Sequence, residues 1–439
     1  MIPVAELHAR RTKLVQHMVP NSVAIIPAGR EVVRSNDTHY SFRQNSDYWY
    51  CSGINEPDGV LVVLPKQGEL PEQSVLFVLP RDQQAEIWHG RRLGCDMAKE
   101  IAGVDRCEST DDLEYLLVEL LDGRSDLYIA QGDDTWFSPY LAEALSELRA
   151  GKRQGMQAPE RIHDLNTLLH NQRLIKSPYE QEVMRQACKI SADAHRRAMK
   201  FTQAGLYEYQ VAAEIHHEFA MRGASGPAYG TICGSGENAC ILHYTSNSDQ
   251  LKQGDLLLID AGAEYLGYAG DITRTFPVSG TFTEPQRKLY KVVLQAQEAA
   301  LAVLKPGVTL PDAYRACTQV LVAGLVELGI LVGDTDTLIK NLAFRPYFMH
   351  GLGHWLGLDV HDMGNYQVNG KPRPLEPGMV LTVEPGIYIP INADCPVAYR
   401  GIGIRIEDDI LITEHGYENL TATVPKSIEG IEALMRAGR

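Results

Sequence analysis

The stretch from Asp255 to Phe276, DLLLIDAGAEYLGYAGDITRTF, limits what this chain can fold into more than any other segment. It reads as two largely apolar β-strands joined by a tight turn, with Gly267 close to the bend. A register symmetric about Tyr265 and Leu266 sets Asp260 opposite Asp271, so that two carboxylates face each other across the ladder. Directly opposed cross-strand residues hold their Cβ atoms roughly 4.5–5.5 Å apart, where like charges are destabilising unless something positive lies between them. A cation is the natural remedy. On the hairpin alone the alternative stays open: one aspartate faces solvent, or the turn has another length.

Three later segments favour the cation. His350, His354 and His361 fall within the run HGLGHWLGLDVHD, whose glycines let backbone approach a site closely and whose histidine density is hard to justify as packing. In VLTVEPGIYI, Glu384 ends an otherwise apolar strand just before Pro385-Gly386, and a buried carboxylate there needs a partner. In GIGIRIEDDILI, Arg405 and Glu407 share one strand face. A plain ion pair is the alternative for those two; Asp408 and Asp409 are expected to be solvated or salt-bridged. The candidate ligands are therefore Asp260, Asp271, His354, Glu384 and Glu407. One nitrogen and several carboxylates without thiolate suit Mn²⁺, Co²⁺, Fe²⁺ or Zn²⁺. Four negative charges match two divalent ions, and paired ions that clamp a shared hydroxide imply hydrolysis.

The rest of the sequence frames that site. A chain of 439 residues points to two domains, and 44% hydrophobic with 22% charged residues is ordinary for a globular protein. The amino-terminal part alternates β-like runs such as VAIIPAG, GVLVVLP and VLFVLP with a helical stretch near Asp111 to Leu121, an α/β pattern. Residues Gly151 to Lys176 lose strand periodicity and become basic and polar, which suggests a crossing between domains, with 1–173 on one side and 174–439 on the other. Ser177-Pro178-Tyr179-Glu180 and Thr283-Glu284-Pro285-Gln286 are capping boxes that open helices. A net charge of −15 argues against nucleic acid as a partner. Apolar stretches too short to span a membrane and eight cysteines without a CxxC pair suggest a cytoplasmic protein with reduced thiols.

The order Asp260, Asp271, His354, Glu384, Glu407 resembles the ligand series of the pita-bread metallopeptidases, a family that includes methionine aminopeptidase, prolidase and aminopeptidase P. The run from His350 to Asp362 is similar to the proline-peptidase signature of that family. SFRQNSDYWYCSGINEPDGVLV resembles the amino-terminal domain of the aminopeptidase P branch, and the likeness continues through ENACILHYTSN around His243. The resemblance implies a mixed-sheet amino-terminal domain followed by a pseudo-twofold pita-bread domain. It implies hydrolysis of the bond between an N-terminal residue and a penultimate proline, with dipeptide-specific prolidase as the alternative. It further implies two divalent ions, Mn²⁺ foremost, with Asp260 on one ion, Asp271 and Glu407 bridging, and His354 and Glu384 on the other. His243 and His361 are then expected to position substrate and steady the tetrahedral intermediate, with Glu384 moving a proton. His350 would wall the proline pocket, and Arg405 and Tyr229 would stand near the metals. Trp88, in EIWHGRR, would be lent to a neighbouring subunit's site in a homotetramer, simple packing being the alternative.

Overall fold

A computed structural model describes residues 1–66, 72–132 and 136–438. By internal contacts the chain divides into two compact units, Met1–Gln172 and Arg173–Arg439.

The amino-terminal unit is built on a six-stranded mixed sheet in the order Arg106–Ser109, Gln73–Val78, Val60–Leu64, Ser22–Pro27, Asp126–Ile129, Arg161–Asp164. Its inner strands are near-continuous apolar runs, as strands covered on both faces must be; VLVVL is buried at every position. One face packs on the helices Leu113–Leu121 and Ser138–Ala150. The segment read as losing strand periodicity after Gly151 holds regular structure: Arg161–Asp164 is a strand and Asn166–Leu174 a helix. The strand is polar because it serves a buried charge. Asp126 has its carboxylate held by Arg161 (2.6 Å) and His163 (2.6 Å), which burial of that group requires.

In the carboxy-terminal unit both capping boxes form as read, opening the helices Pro178–Phe201 and Glu284–Val303. Glu208–Met221 and Leu310–Glu327 are further helices of this unit. They cover short antiparallel sheets, and the apolar faces between them form one large core. No helix among the described residues is long and apolar enough to cross a membrane.

The hairpin register differs from the expected one by two residues. Asp260 pairs with Thr273, because the turn is centred on Leu266 and Gly267, which both take positive φ (49° and 85°). Two consecutive positive-φ residues give the primed turn whose twist matches a hairpin. A slip of two keeps every side chain on its face, so Asp271 becomes the diagonal neighbour of Asp260 rather than its direct partner.

This ladder breaks between Leu256–Asp260 with Thr273–Pro277 and the outer pairs Ala263–Tyr265 with Tyr268–Ala269. A second ladder breaks likewise: Val380–Val383 pairs with Asp408–Ile412, then Gly386–Tyr388 pairs with Gly403–Arg405. Asp260 and Asp271 flank the first break, Glu384 and Glu407 the second. Interruptions of a ladder re-aim side chains, and here they bring four acidic residues to one cavity.

Candidate active site and metal centre

That cavity, of about 630 Å³, is lined by Asp260, Asp271, His354, Glu384 and Glu407 together with Tyr229, His243, His350, His361 and Arg405. Ligand atoms of Asp271, His354 and Glu407 lie within 4.8 Å of one another. His354 Nε2 stands 3.5 Å from Asp271 Oδ2 and 3.6 Å from Glu384 Oε1. Trp88, the remaining residue of interest, is 81% exposed on the helix Gln83–His89 of the amino-terminal unit.

The glycine-rich run works by backbone proximity. A Cβ on Gly353 would sit 1.9 Å from the carbonyl oxygen of Thr382, so glycine alone lets this loop lie on the strand Val380–Val383. The two then bond: Thr382 N–H donates to His354 O (2.9 Å), and His354 N–H to Thr382 Oγ1 (3.1 Å). His354 Nδ1 meets the Trp355 carbonyl at 3.0 Å, which puts a ring proton on Nδ1 and aims Nε2 at the carboxylates, where it can give its lone pair to a metal ion once its own proton has left. A histidine oriented in this way by a backbone carbonyl is how metal-ligating imidazoles are prepared.

The carboxylates are held by a partly shared set of donors. Arg405 Nη2 lies 2.5 Å from Asp260 Oδ2, and its Nε donates to Thr273 Oγ1 (3.1 Å), whose hydroxyl donates to Glu407 Oε2 (2.6 Å). The Tyr229 hydroxyl lies 2.6 Å from Asp260 Oδ1 and 2.5 Å from Asp271 Oδ1. It has one proton for two acceptors, so one oxygen of that pair is left facing a lone pair. Burial lifts the Asp271 carboxyl, with the charge of Asp260 adding, and burial with the charges of Asp271 and Glu384 lifts Glu407 well above the usual range. Burial brings Glu384 up to about 7 against the pull of His354 and Arg405. Burial works against charge on His354 too, yet Asp271 and Glu384 outweigh it and raise the imidazole to about 9. Burial is the first cause of the carboxyl shifts, and the mutual repulsion of Asp260, Asp271, Glu384 and Glu407 adds to it. A divalent ion among these oxygens and His354 Nε2 fits the donor set.

Two further histidines of the cavity are shifted the opposite way from His354. Burial, then Arg405, lowers His350 to about 4, and burial with the neighbouring His354 and His243 lowers His361. His361 stands edge-on to His354, ring centroids 4.3 Å apart.

Comparison with known proteins agrees with this geometry. The model of metallopeptidase family M24 matches residues 182–414, and that of the aminopeptidase P amino-terminal domain matches residues 7–128. Xaa-Pro aminopeptidase of Escherichia coli (strain K12) is 53% identical over 434 residues, covering 99% of this chain and 98% of its own. The chain belongs to metallopeptidase family M24. A second relative, Xaa-Pro aminopeptidase of Haemophilus influenzae, is 45% identical over the same coverage. The solved structure of zinc-substituted E. coli aminopeptidase P in complex with product superposes with a TM-score of 0.97 at 53% identity, covering 100% of this chain and 99% of that one. The low-pH form of the same E. coli enzyme gives 0.98 at the same identity and coverage. This M24 metallopeptidase therefore has the pita-bread carboxy-terminal domain that its sequence led us to expect, with a metal-binding site in it.

The sequence reading of the M24 site missed its connectors. Tyr388 bridges His350 Nε2 (2.8 Å) and Arg405 Nη1 (3.0 Å), and Thr273 and Thr382 link ligands as described. Two of these were visible in principle, since Thr273 follows Asp271 and Thr382 precedes Glu384 by two residues in strand, the same-face spacing. Asp408 is salt-bridged as expected, to Arg274 and Lys426 at 2.6 Å each. Asp409 is not solvated: it is fully buried, accepts from Asp271 N–H (2.9 Å) and Cys188 Sγ (3.1 Å), and burial raises its carboxyl far above the usual range.

Proposed function

We propose that this M24 peptidase is an Xaa-Pro aminopeptidase, removing the first residue from peptides with proline at the second position with the help of two divalent ions, Mn²⁺ before Co²⁺, Fe²⁺ or Zn²⁺. The observation that carries this reading is the convergence of four carboxylates and one oriented imidazole on a cavity whose remaining walls include three more histidines, in a chain 53% identical over its length to an Xaa-Pro aminopeptidase.

Asp260, Asp271, His354, Glu384 and Glu407 would hold the ions, four carboxylates and one imidazole being the donors such ions take. When bound, the ions supply Lewis acidity to the scissile carbonyl and lower the pKa of the attacking water. The chain's own groups do the rest. Glu384, 3.8 Å from His350 Nδ1 and half-buried at the cavity wall, takes the water proton and returns it to the leaving proline nitrogen. That nitrogen has no hydrogen in the substrate, so peptidases that need an N–H donor at this bond do not act on it. His243 and His361, on the cavity wall, steady the oxyanion. His350 walls the proline pocket.

Eight free cysteines support a reducing, cytoplasmic setting. By resemblance we assign a homotetramer in which Trp88, exposed with its neighbour Ile87 (72%), completes a neighbour's site; a monomer by light scattering would refute that assignment.

The activity is tested with Xaa-Pro-Xaa, Xaa-Pro and Xaa-Ala-Xaa peptides under defined metal. Cleavage of the first alone, lost in chelator and restored by Mn²⁺, is expected. Preference for the dipeptide would make the enzyme a prolidase, and equal cleavage of the alanine peptide would remove proline from the reading.

A further inference from the structure

A buried carboxylate outside the cavity organises the segment that carries His243. Glu208, the first residue of the helix Glu208–Met221, is fully buried. Its Oε1 accepts from Ser235 N–H (2.7 Å), Ser235 Oγ (2.8 Å) and Asn238 Nδ2 (3.2 Å), while Oε2 accepts from the Tyr244 hydroxyl (2.8 Å) and Asp249 N–H (2.9 Å). Its own N–H donates to Asp249 O at 3.0 Å. Every one of these donors lies between residues 235 and 249, where the chain leaves the strand Ile232–Ser235, forms a short 3₁₀ turn and runs without regular structure toward Leu256–Asp260. Tyr244 directly follows His243, so the tie reaches the residue next to the imidazole that lines the cavity.

Bonds to an ionised acceptor are roughly twice as strong as neutral ones, and a carboxylate has lone pairs enough for this set. A glutamine in its place keeps one acceptor oxygen and turns an NH₂ toward donors, so one half of the cluster becomes unfavourable. We propose that Glu208 is a positioning residue for His243: its charge fixes segment 235–249 so that the imidazole meets substrate in one place. The inference rests on the reading that His243 faces substrate.

The test compares Glu208→Gln, His243→Ala and the double variant in the manganese-loaded full chain, with kcat and KM for an Xaa-Pro-Xaa peptide, metal content, and hydrogen exchange over residues 236–250 by mass spectrometry. Glu208→Gln should bind metal normally, lower kcat/KM on the order of 10²-fold, as small misplacements of a catalytic group do, and speed exchange in the segment. In the His243→Ala background the same change should matter less than about twofold, because its target is already gone. Losses that multiply, or a folded Glu208→Gln enzyme with wild-type kcat/KM, would overturn the proposal. Full activity of His243→Ala would instead sink the assignment of His243, and the exchange measurement would then show separately whether Glu208 orders the segment. Should Glu208→Gln fail to fold, Tyr244→Phe removes a single tie. A loss of about 10-fold, absent in the His243→Ala background, is then expected, the lower end of the worth of one hydrogen bond to a charged group, and a loss that persists there overturns the proposal.

Discussion

Replacing Asp362 by asparagine changes one atom and should still cost the carboxy-terminal unit several degrees of melting temperature. The Asp362 side chain is 1% exposed and faces two cations as deeply buried as itself, Arg173 (2.6 Å) and Lys176 (2.9 Å). Burial pushes this carboxyl upward, but Lys176 and Arg173 prevail and hold it below the ordinary aspartate value. An asparagine leaves the cations without that charge. Breaking a buried pair from one side costs about 3–5 kcal/mol because the other charge stays buried. Arg173 keeps Asp359 at 2.6 Å, which places the expected loss near the lower end, about 3 kcal/mol. In a unit of this size each kcal/mol moves Tm by about 2–4 °C, so a drop of about 6–12 °C is expected by calorimetry of matched, manganese-loaded samples. The pH dependence provides an internal check. A carboxyl with a depressed folded pKa contributes stability above its unfolded pKa, about 3.9, and loses it as pH falls toward the folded value. The gap between wild type and Asp362→Asn should therefore narrow below about pH 4. A Tm change under about 2 °C at pH 7 would show that this cluster is not the stabilising device its burial indicates.

Three further outcomes are expected. Gly353→Ala drives a Cβ into the Thr382 carbonyl, so urea unfolding should show a loss of about 1–3 kcal/mol and metal titration a weaker site; wild-type metal affinity would contradict the close backbone approach. Glu384→Gln should lower kcat about 10²- to 10⁴-fold, the usual worth of a positioned proton carrier, and weaken metal occupancy; an enzyme near full rate rules out that role. His195 is fully buried with Nε2 on the Ala261 carbonyl, and burial lowers its pKa to about 4. Its unfolded pKa is about 6.5, so the unfolded chain binds the proton first and stability should fall as pH drops from 6.5 toward 4, by up to about 3 kcal/mol. A shallower acid limb in His195→Gln checks this, and identical slopes would refute it.

Much of the site was legible because charge is costly to bury. Asp260, Asp271, Glu384 and Glu407 stand out as acidic residues in apolar strands, and such positions demand a partner whatever the details of the fold. The helices from Ser177 and Thr283 were legible for a local reason, since a capping box is written in four consecutive residues. The hairpin register was not, because it depends on Leu266 accepting a positive φ that a leucine seldom adopts. Even so, an error of two residues left both aspartates on one face. The strand Arg161–Asp164 was hidden because its basic residues look like a linker until Asp126 is known to lie behind them. The role of Glu208 was not legible either, for nothing local shows that Ser235, Tyr244 and Asp249 return to it.

Both nitrogens of His350 are already engaged. Gly351 O lies 2.8 Å from Nδ1, and the Tyr388 hydroxyl lies 2.8 Å from Nε2, so the proton sits on the first and the lone pair is used at the second. What such a ring can still present to a guest is carbon: a flat, uncharged surface with no hydrogen-bonding vocabulary left. A side chain that usually advertises polarity here behaves as a small aromatic panel on the cavity wall, which under the proposed function would meet a saturated five-membered ring that also has nothing to donate.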